Sequence, residues 1–534
     1  MLLVLWLAWS EPAAASGARA RNGMVATDHE LASAAAVEVL RDGGHAVDAM
    51  VAAAYVLGVV NPQSSGLGGG GFMLIHDAAR GRVSALEFRD RAPREAPRAL
   101  AALDGRPART GGLAAAVPCE AQGLEAAWQR FGRLPRRRLL EPALRLAREG
   151  FPAGRLLANM ARDYLRGSER TPELDRFLTR PDGRRLRQGD RLRQVDLAQT
   201  LEAVARDGPR AVTQGPIADA IVRAVRSHGG VLSLQDLQAI EPHWVEPLRG
   251  RYRGADVFAM PPPASGAVLL MTLGLLEPTP LPSLGPGSPT EAVAVARALQ
   301  AATAAKAAYL GDPAFSEIPL ERFLTRPAAF APTPEQAAGD DAEPSDTTNL
   351  CIVDREGNAV AMTTSLGAAF GCHLRVEGAG LILSNHVADF SPAPGRPNAY
   401  GIPYGRANVV EPLKAPVSAS APTLVFREGR LQLAIGGSGS GRILPAITQC
   451  VIGLLDHGLS PERAVALPRL QVTGRSSKIW VEEAYPDLTV RALRLRGLRV
   501  MPGVKRASVT AVAVRDGWLL GGSDPRKAGV PMGY

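Results

Sequence analysis

The chain has 534 residues, 46% of them hydrophobic, with a mean hydropathy of −0.01, which is enough apolar material for a large core and length enough for more than one domain. Its net charge of +9 comes from scattered arginines, such as Arg136-Arg-Arg138 and Arg184-Arg185, with few aromatics between them. Nucleic-acid recognition needs a concentrated basic face with stacking rings, so this charge reads as solvated surface. The four cysteines, Cys119, Cys351, Cys372 and Cys450, show neither CxxC spacing nor histidine pairs, which argues against a zinc site and leaves disulfides open in an oxidising compartment.

The chain opens on an apolar block, Leu2 to Trp9, followed by small residues from Ala13 to Ser16. This reads as a signal peptide over 1–16 and gives a periplasmic or secreted expectation, with a misassigned start codon as the alternative. The block is too short to span a bilayer. Thr27-Asp-His-Glu30 has the capping-box pattern and predicts a helix running to Gly43-Gly44. A nearly all-apolar helix is predicted from Val47 to Val60; lacking a polar face, it must be buried. The run Ser64-Ser-Gly-Leu-Gly-Gly-Gly-Gly71 contains GxGxxG, but the helix precedes it and the strand, Phe72 to Ile75, follows it. That order is the reverse of a dinucleotide site, so the glycines are read as allowing close backbone approach.

A strand is predicted over Arg82 to Phe88, leading into Arg89, and mainly helix from Glu120 to Val225. A further strand, Asp256 to Met260, precedes Pro261-Pro-Pro-Ala-Ser-Gly266, and no internal repeat is present. Between Pro327 and Ser345 the composition turns to Ala, Pro and acids, too poor in apolar residues to fold alone. Two threonines, Thr347 and Thr348, then start an alternating apolar run that turns at Asp354-Arg-Glu-Gly-Asn358, a hairpin signature. Thr347 thus leads a strand directly after a mobile approach. Cleavage before it would leave an α-amine of reference pKa ~8 beside the hydroxyl, a base for an otherwise poor nucleophile. Further on, Ile435-Gly-Gly-Ser-Gly-Ser-Gly-Arg442 lies between a strand (Leu431 to Ile435) and a helix (Ile443 to Leu455), where successive N–H groups make an anion-binding nest.

The wording Asp346-Thr-Thr, then Leu350-Cys-Ile-Val-Asp-Arg-Glu-Gly-Asn-Ala-Val360, resembles the γ-glutamyltranspeptidase (glutathione hydrolase) family, with the likeness running from Met24 to Tyr534. The glycine run before a strand, the Met-Pro-Pro-Pro stretch and Tyr309-Leu-Gly-Asp-Pro313 are similar to family features. The resemblance implies an α+β fold, the N-terminal-nucleophile (Ntn) hydrolase four-layer αββα sandwich. It implies a self-processing chain whose 24–346 part and 347–534 part pair as a heterodimer sharing one core. The implied activity is attack of Thr347, rather than Thr348, on a γ-glutamyl amide such as glutathione, with water or an amino acid or peptide as acceptor. No metal or organic cofactor is called for.

Residue by residue, the resemblance implies that Ser365 orients the nucleophile and that Gly439 and Ser440 supply the oxyanion hole. Arg89 and Ser418 would hold the substrate α-carboxylate, and Asp389 its ammonium group. His386 stands where the family has Gln or Glu, and Tyr400 to Leu413 correspond to a lid. Several positions depart from the family pattern: Gly367 for an asparagine, Ala388 for an acid, Ala419 for a second serine and Asn349 for a histidine. Each lost polar contact weakens recognition by roughly 1–3 kcal/mol. Altered acyl specificity, like that of cephalosporin acylases, is therefore the alternative, and a non-catalytic homologue is another.

Overall fold

The computed structural model describes residues 16–102, 108–325, 345–472, 478–503 and 507–534. The apolar leader, residues 1–15, and nearly all of the Ala/Pro/acid segment, residues 326–344, lie outside them. Two seven-stranded sheets form the centre, and every strand pair within them is antiparallel. In the first, the order is Met532–Gly533, Met24–Thr27, Ser345–Val353, Ala359–Ala368, Gly70–Asp77, Arg82–Phe88 and His243–Val245. In the second it is Ser16–Ala20, Trp518–Ser523, Ser508–Arg515, Arg430–Ser438, Thr423–Arg427, Ala255–Ala259 and Leu248–Tyr252. Both sheets mix strands from before and after residue 346, so neither part of the chain can complete a sheet alone.

Alternation along the strands builds four layers, because successive side chains leave a strand on opposite faces. Leu350, Ile352, Val360 and Met362 join the core under the Ala46–Val60 helix, whereas Cys351, Val353, Ala359 and Ala361 join the core between the sheets. On the second sheet, Leu433, Ile435, Ala511 and Ala513 pack with the helices Gly266–Leu276, Pro289–Tyr309 and Ile443–Leu455. Their neighbours Leu424, Ala434 and Val512 face the first sheet. The order helix, sheet, sheet, helix is the expected αββα sandwich. Among the described residues no helix is long and apolar enough to cross a membrane, and all four cysteines are buried free thiols.

The apolar helix runs Ala46–Val60 with only Gly58 less than fully buried, as its missing polar face predicts. Its capping box is made by His45 and Asp48, and the hairpin turn adds to the cap, Asp354 accepting from the Ala46 N–H at 3.0 Å. The capping box expected at Thr27 and Glu30 does not form. Thr27 is still in a strand, paired with Leu350, and its hydroxyl contacts Ser33; His29 caps the helix Glu30–Arg41 instead, through its Nδ1. The Gly70–Asp77 strand is longer than predicted at both ends, and Gly436 and Gly437 belong to the Arg430–Ser438 strand rather than to a loop. A Cβ on Gly70 or Gly71 would lie within 2.4 Å of a neighbouring carbonyl oxygen, so the glycine run does serve close strand approach.

Candidate active site

Thr347 lies opposite Ser365 across the hairpin, and the register slips by one residue between Asp346 and Thr347. Asp346 pairs with Gly367, so Leu366 is the extra residue of a bulge lying directly across from the Asp346–Thr347 bond. The bulge has its own supports, Leu366 N–H donating to Ser64 O at 2.9 Å and its carbonyl accepting from Asn385 N–H at 3.0 Å. Thr347 is only 4% exposed, and its Oγ1 is 3.0 Å from the Ser365 Oγ. The Ser365 Oγ also accepts from the Gly367 N–H at 2.9 Å, which fixes the hydroxyl in place against the threonine.

Behind Thr347 is a buried polar network. Lys527 Nζ donates to the Thr347 carbonyl and, at 3.1 Å, to Asp28. Asp28 further accepts from the Asn349 N–H (3.2 Å), the Ser508 hydroxyl (2.9 Å) and the Ser438 hydroxyl (3.2 Å). Burial pushes the Asp28 carboxyl up against the opposing pull of the Lys527 charge. Asn349 spends its amide here: Oδ1 accepts from Thr510 N–H at 3.0 Å, tying the two sheets together, and the residue does not reach the pocket.

In front of Thr347 opens a cleft. Thr347, Ser365, Gly367, Arg89, His386, Asp389 and Ser418 all line it. Ser440, Gly441 and Arg442 also bound it, whereas Gly439 is not among its lining residues. Gly439 and Ser440 have φ of 125° and 57°, so consecutive residues take positive φ at the start of a helix. That turn directs main-chain N–H groups as a nest does. Of the segment expected as a lid, Tyr400, Ile402 and Tyr404 line the cleft, and the Gly405 N–H donates to Ala307 O at 2.8 Å.

Arg89 is 3% exposed and donates from Nη2 to Asp389 at 2.7 Å, with Nη1 3.5 Å from Asp90. Asp389 sits at the end of a 3-10 turn, His386–Asp389, with its side chain 23% exposed into the cleft. Burial raises its pKa, opposed by the His386 and Arg89 charges. His386 is held by Nδ1 to Asp90 at 2.6 Å, and Asp90 also takes the Ser384 hydroxyl. Burial alone would push the Asp90 carboxyl up, but His386 and Arg89 together pull it below the usual carboxylate value. Ser418 Oγ donates to Ser420 Oγ at 3.0 Å, so the second hydroxyl of this wall comes from Ser420, one residue beyond Ala419.

The structure therefore brings Thr347, Ser365, Ser440, Arg89, Asp389, Ser418 and His386 to one cleft and leaves Gly439 at its edge. Gly367 lines the cleft with φ of 91°, and a Cβ there would meet Asn385 Oδ1 at 2.1 Å, so the missing side chain has its space filled by Asn385. Three polar residues at the site escape a reading of motifs. Lys306 shares an alanine-rich helix with Arg297, with no motif around it, and Ser420 lies just past the expected serine pair. Lys527 is near the C-terminus, and its contacts with Asp28 and the Thr347 carbonyl mark it only in the fold.

A model of the family described as gamma-glutamyltranspeptidase matches residues 32–534. The glutathione hydrolase proenzyme of Escherichia coli (strain K12) is 35% identical over 531 residues, 95% of this chain and 91% of the relative. The acylase ACY 1 proenzyme of Pseudomonas sp. (strain SE83) is 34% identical, over 97% of this chain and 94% of the relative. Among solved structures, a cephalosporin acylase from Bacillus halodurans superposes with a TM-score of 0.88 at 26% identity, covering 100% of this chain and 99% of that one. Helicobacter pylori gamma-glutamyltranspeptidase gives 0.52 at 31% identity over 57% of this chain and 88% of that one. With a sandwich, a threonine hydroxyl at a strand bulge and an Arg–Asp pair in one cleft, and with the family model covering nearly the whole sequence, the chain belongs to the gamma-glutamyltranspeptidase family.

Proposed function

We propose that this chain is a self-processing γ-glutamyl hydrolase and transpeptidase that cleaves γ-glutamyl amides such as glutathione through an ester on Thr347. The observation that carries the reading is the Thr347–Ser365 hydroxyl pair at a bulge, 3.0 Å apart, facing a cleft with a buried arginine and a carboxylate. In the precursor the Thr347 hydroxyl attacks the Asp346 carbonyl carbon. The C–N bond breaks, the acyl group moves to oxygen, and the proton passes to the freed nitrogen. Water then opens the ester, leaving 24–346 and 347–534 as paired fragments, which the interleaved strands hold as one body.

In the mature enzyme the free amine of Thr347 takes the hydroxyl proton as oxygen attacks the γ-amide carbon. Main-chain N–H groups at Gly439 and Ser440 stabilise the oxyanion; one such donor is worth roughly a hundredfold or more in rate. The proton goes to the departing amine, and water or an acceptor amine then takes the acyl group from Thr347. Arg89 holds the α-carboxylate bidentately and Asp389 the ammonium group, exchanging their mutual ion pair for the zwitterionic head. Ser418 adds a hydrogen bond to the carboxylate, and His386 shapes the wall behind it. We assign the working enzyme to the periplasm or the exterior.

The test is direct. Purified protein should run as two fragments whose smaller one begins at Thr347, and it should release p-nitroaniline from γ-glutamyl-p-nitroanilide. Thr347→Ala should remain one chain and release none. An uncut wild-type chain without turnover would overturn the reading in favour of a non-catalytic homologue.

A further inference from the structure

The reaction proposed above needs two groups that belong to different sheets. Thr347 lies on the Ser345–Val353 strand of the first sheet, whereas Gly439 and Ser440 follow the Arg430–Ser438 strand of the second. Cys351, Ala361, Ala434 and Val512 fill the space between the sheets. Apolar contact is non-directional, so it does not fix one sheet at a single position along the other. Directional bonds close to the reacting end must do that.

Asp28 gathers such bonds from both sheets. Its Oδ2 accepts from the Asn349 N–H at 3.2 Å, the Ser438 hydroxyl at 3.2 Å and Lys527 Nζ at 3.1 Å. Its Oδ1 accepts from the Ser508 hydroxyl at 2.9 Å and from Asn349 Nδ2 at 3.3 Å. A carboxylate offers about four lone-pair sites, so these donors saturate it. Asn349 is two residues beyond Thr347, and Lys527 donates onward to the Thr347 carbonyl. Ser438 is the residue before Gly439, and Ser508 is its partner on the neighbouring strand. One buried carboxylate therefore holds the threonine strand directly and through Lys527, and holds the strand that leads into the glycine turn. Lys527 arrives here because the C-terminal segment runs beside Asp28: Ala528 bridges His29, and Met532 and Gly533 pair with Val25 and Met24.

We propose that Asp28 and Lys527 are the positioning pair of the reaction, setting the distance between the Thr347 hydroxyl and the main-chain donors of the glycine turn. This rests on the proposed roles of Thr347 and that turn. Neither Asp28 nor Lys527 is among the residues lining the cleft, so both act through other groups rather than on substrate. Misplacing reacting atoms by about 1 Å costs on the order of a hundredfold in rate, so a link one residue from each reacting group has leverage on turnover. Substrate binding, which falls to the far wall of the cleft, should be spared.

The experiment compares the wild type with Asp28→Asn, Lys527→Met and the double variant, reading the urea midpoint, the half-time of cleavage into two fragments, and kcat and KM on γ-glutamyl-p-nitroanilide. Each single variant strands a buried charge and should lower the midpoint. Each should also lower kcat about tenfold or more, with KM within about twofold of the parent. The double variant removes both charges, so its midpoint should recover towards that of the parent while its kcat stays low. That separation is the decisive reading, because a pair that only stabilises the fold would recover both together. Cleavage needs the same hydroxyl, so its half-time should lengthen in step with kcat; a double variant that folds but stays uncut is the extreme of that loss. A single variant that does not fold leaves the double variant to carry the comparison. A double variant with the parent's kcat, or a loss expressed in KM alone, would overturn the positioning role and leave the proposed function standing. A wild type that neither cleaves itself nor releases p-nitroaniline would overturn both.

Discussion

The glycine at 367 gives the most demanding test of the site's construction. Its φ is 91° and a Cβ would lie 2.1 Å from Asn385 Oδ1, with His386 Cδ2 at 3.1 Å. Installing the asparagine that the family pattern carries, Gly367→Asn, must therefore expel the Asn385 side chain. That side chain accepts from Ala368 N–H at 2.9 Å and donates to Arg109 O at 2.9 Å and to the Tyr400 hydroxyl at 3.0 Å. Three such bonds contribute about 1 kcal/mol each, and a non-glycine residue at this φ costs roughly 1–3 kcal/mol more. Gly367→Asn should thus lose about 4–6 kcal/mol, by the sum of those terms, seen as a lower urea midpoint, and the loosened Tyr400 should raise KM. In Gly367→Asn with Asn385→Ala the two changes share one cost, so the double variant should be less destabilised than the sum of the singles by about 2 kcal/mol. A Gly367→Asn protein as stable as the parent, with no coupling to residue 385, would refute this account of the departure.

Other perturbations read other parts of the site. Ser365→Ala removes the contact that holds Thr347 Oγ1 and strips Gly367 N–H of its acceptor; the half-time of fragment appearance on a gel should lengthen about a hundredfold, while Ser365→Thr should keep pace. Ser440→Gly should leave stability within about 1 kcal/mol, since relief of the positive φ of 57° opposes added chain entropy. Turnover should persist, because in the proposed reaction a main-chain N–H stabilises the oxyanion; a tenfold or greater loss would point to the serine hydroxyl instead. Glu120, buried and bonded to the Thr364 hydroxyl, has its pKa pushed up by burial to about 8. The folded chain then holds a proton that the unfolded chain loses above its ordinary carboxylate pKa, so this group's stabilisation is full in acid and is lost as pH rises towards 8. Denaturation midpoints of Glu120→Gln should accordingly depend less on pH than those of the parent between pH ~5 and ~8, and parallel profiles would contradict this.

The layers were legible because period-two alternation and an all-apolar helix leave few other solutions. Both central hairpin strands and the Ile443–Leu455 helix lie where the pattern put them. Local chemistry misled where tertiary pairing overrode it. Thr27 has the residue type of a cap, yet four paired positions with the Leu350–Val353 segment keep it in a strand, and a histidine does the capping. The strand ends were read too short around glycine, because a residue without a side chain gives no alternation signal even when sheet geometry is what requires it.

The site was legible only in those residues that a motif marks, and the reason is electrostatic. A motif records neighbours in sequence, whereas charge balance in a cleft is settled by whatever the fold places there. Asp28 and Lys527 lie 499 positions apart and meet at 3.1 Å behind Thr347. Leaving either alone would strand a buried charge, at a cost of several kcal/mol, so each is intelligible only through the other. The same logic separates the residues that move acyl groups from those that choose them. In the proposed reaction Thr347, Ser365 and the glycine turn act on an amide whatever its head group, and a bulge and a nest, both local features, are enough to build them. Choice of head group, in the proposed reaction, falls to Arg89 and Asp389, which lie 300 positions apart and meet at 2.7 Å, a pair no single stretch of sequence contains.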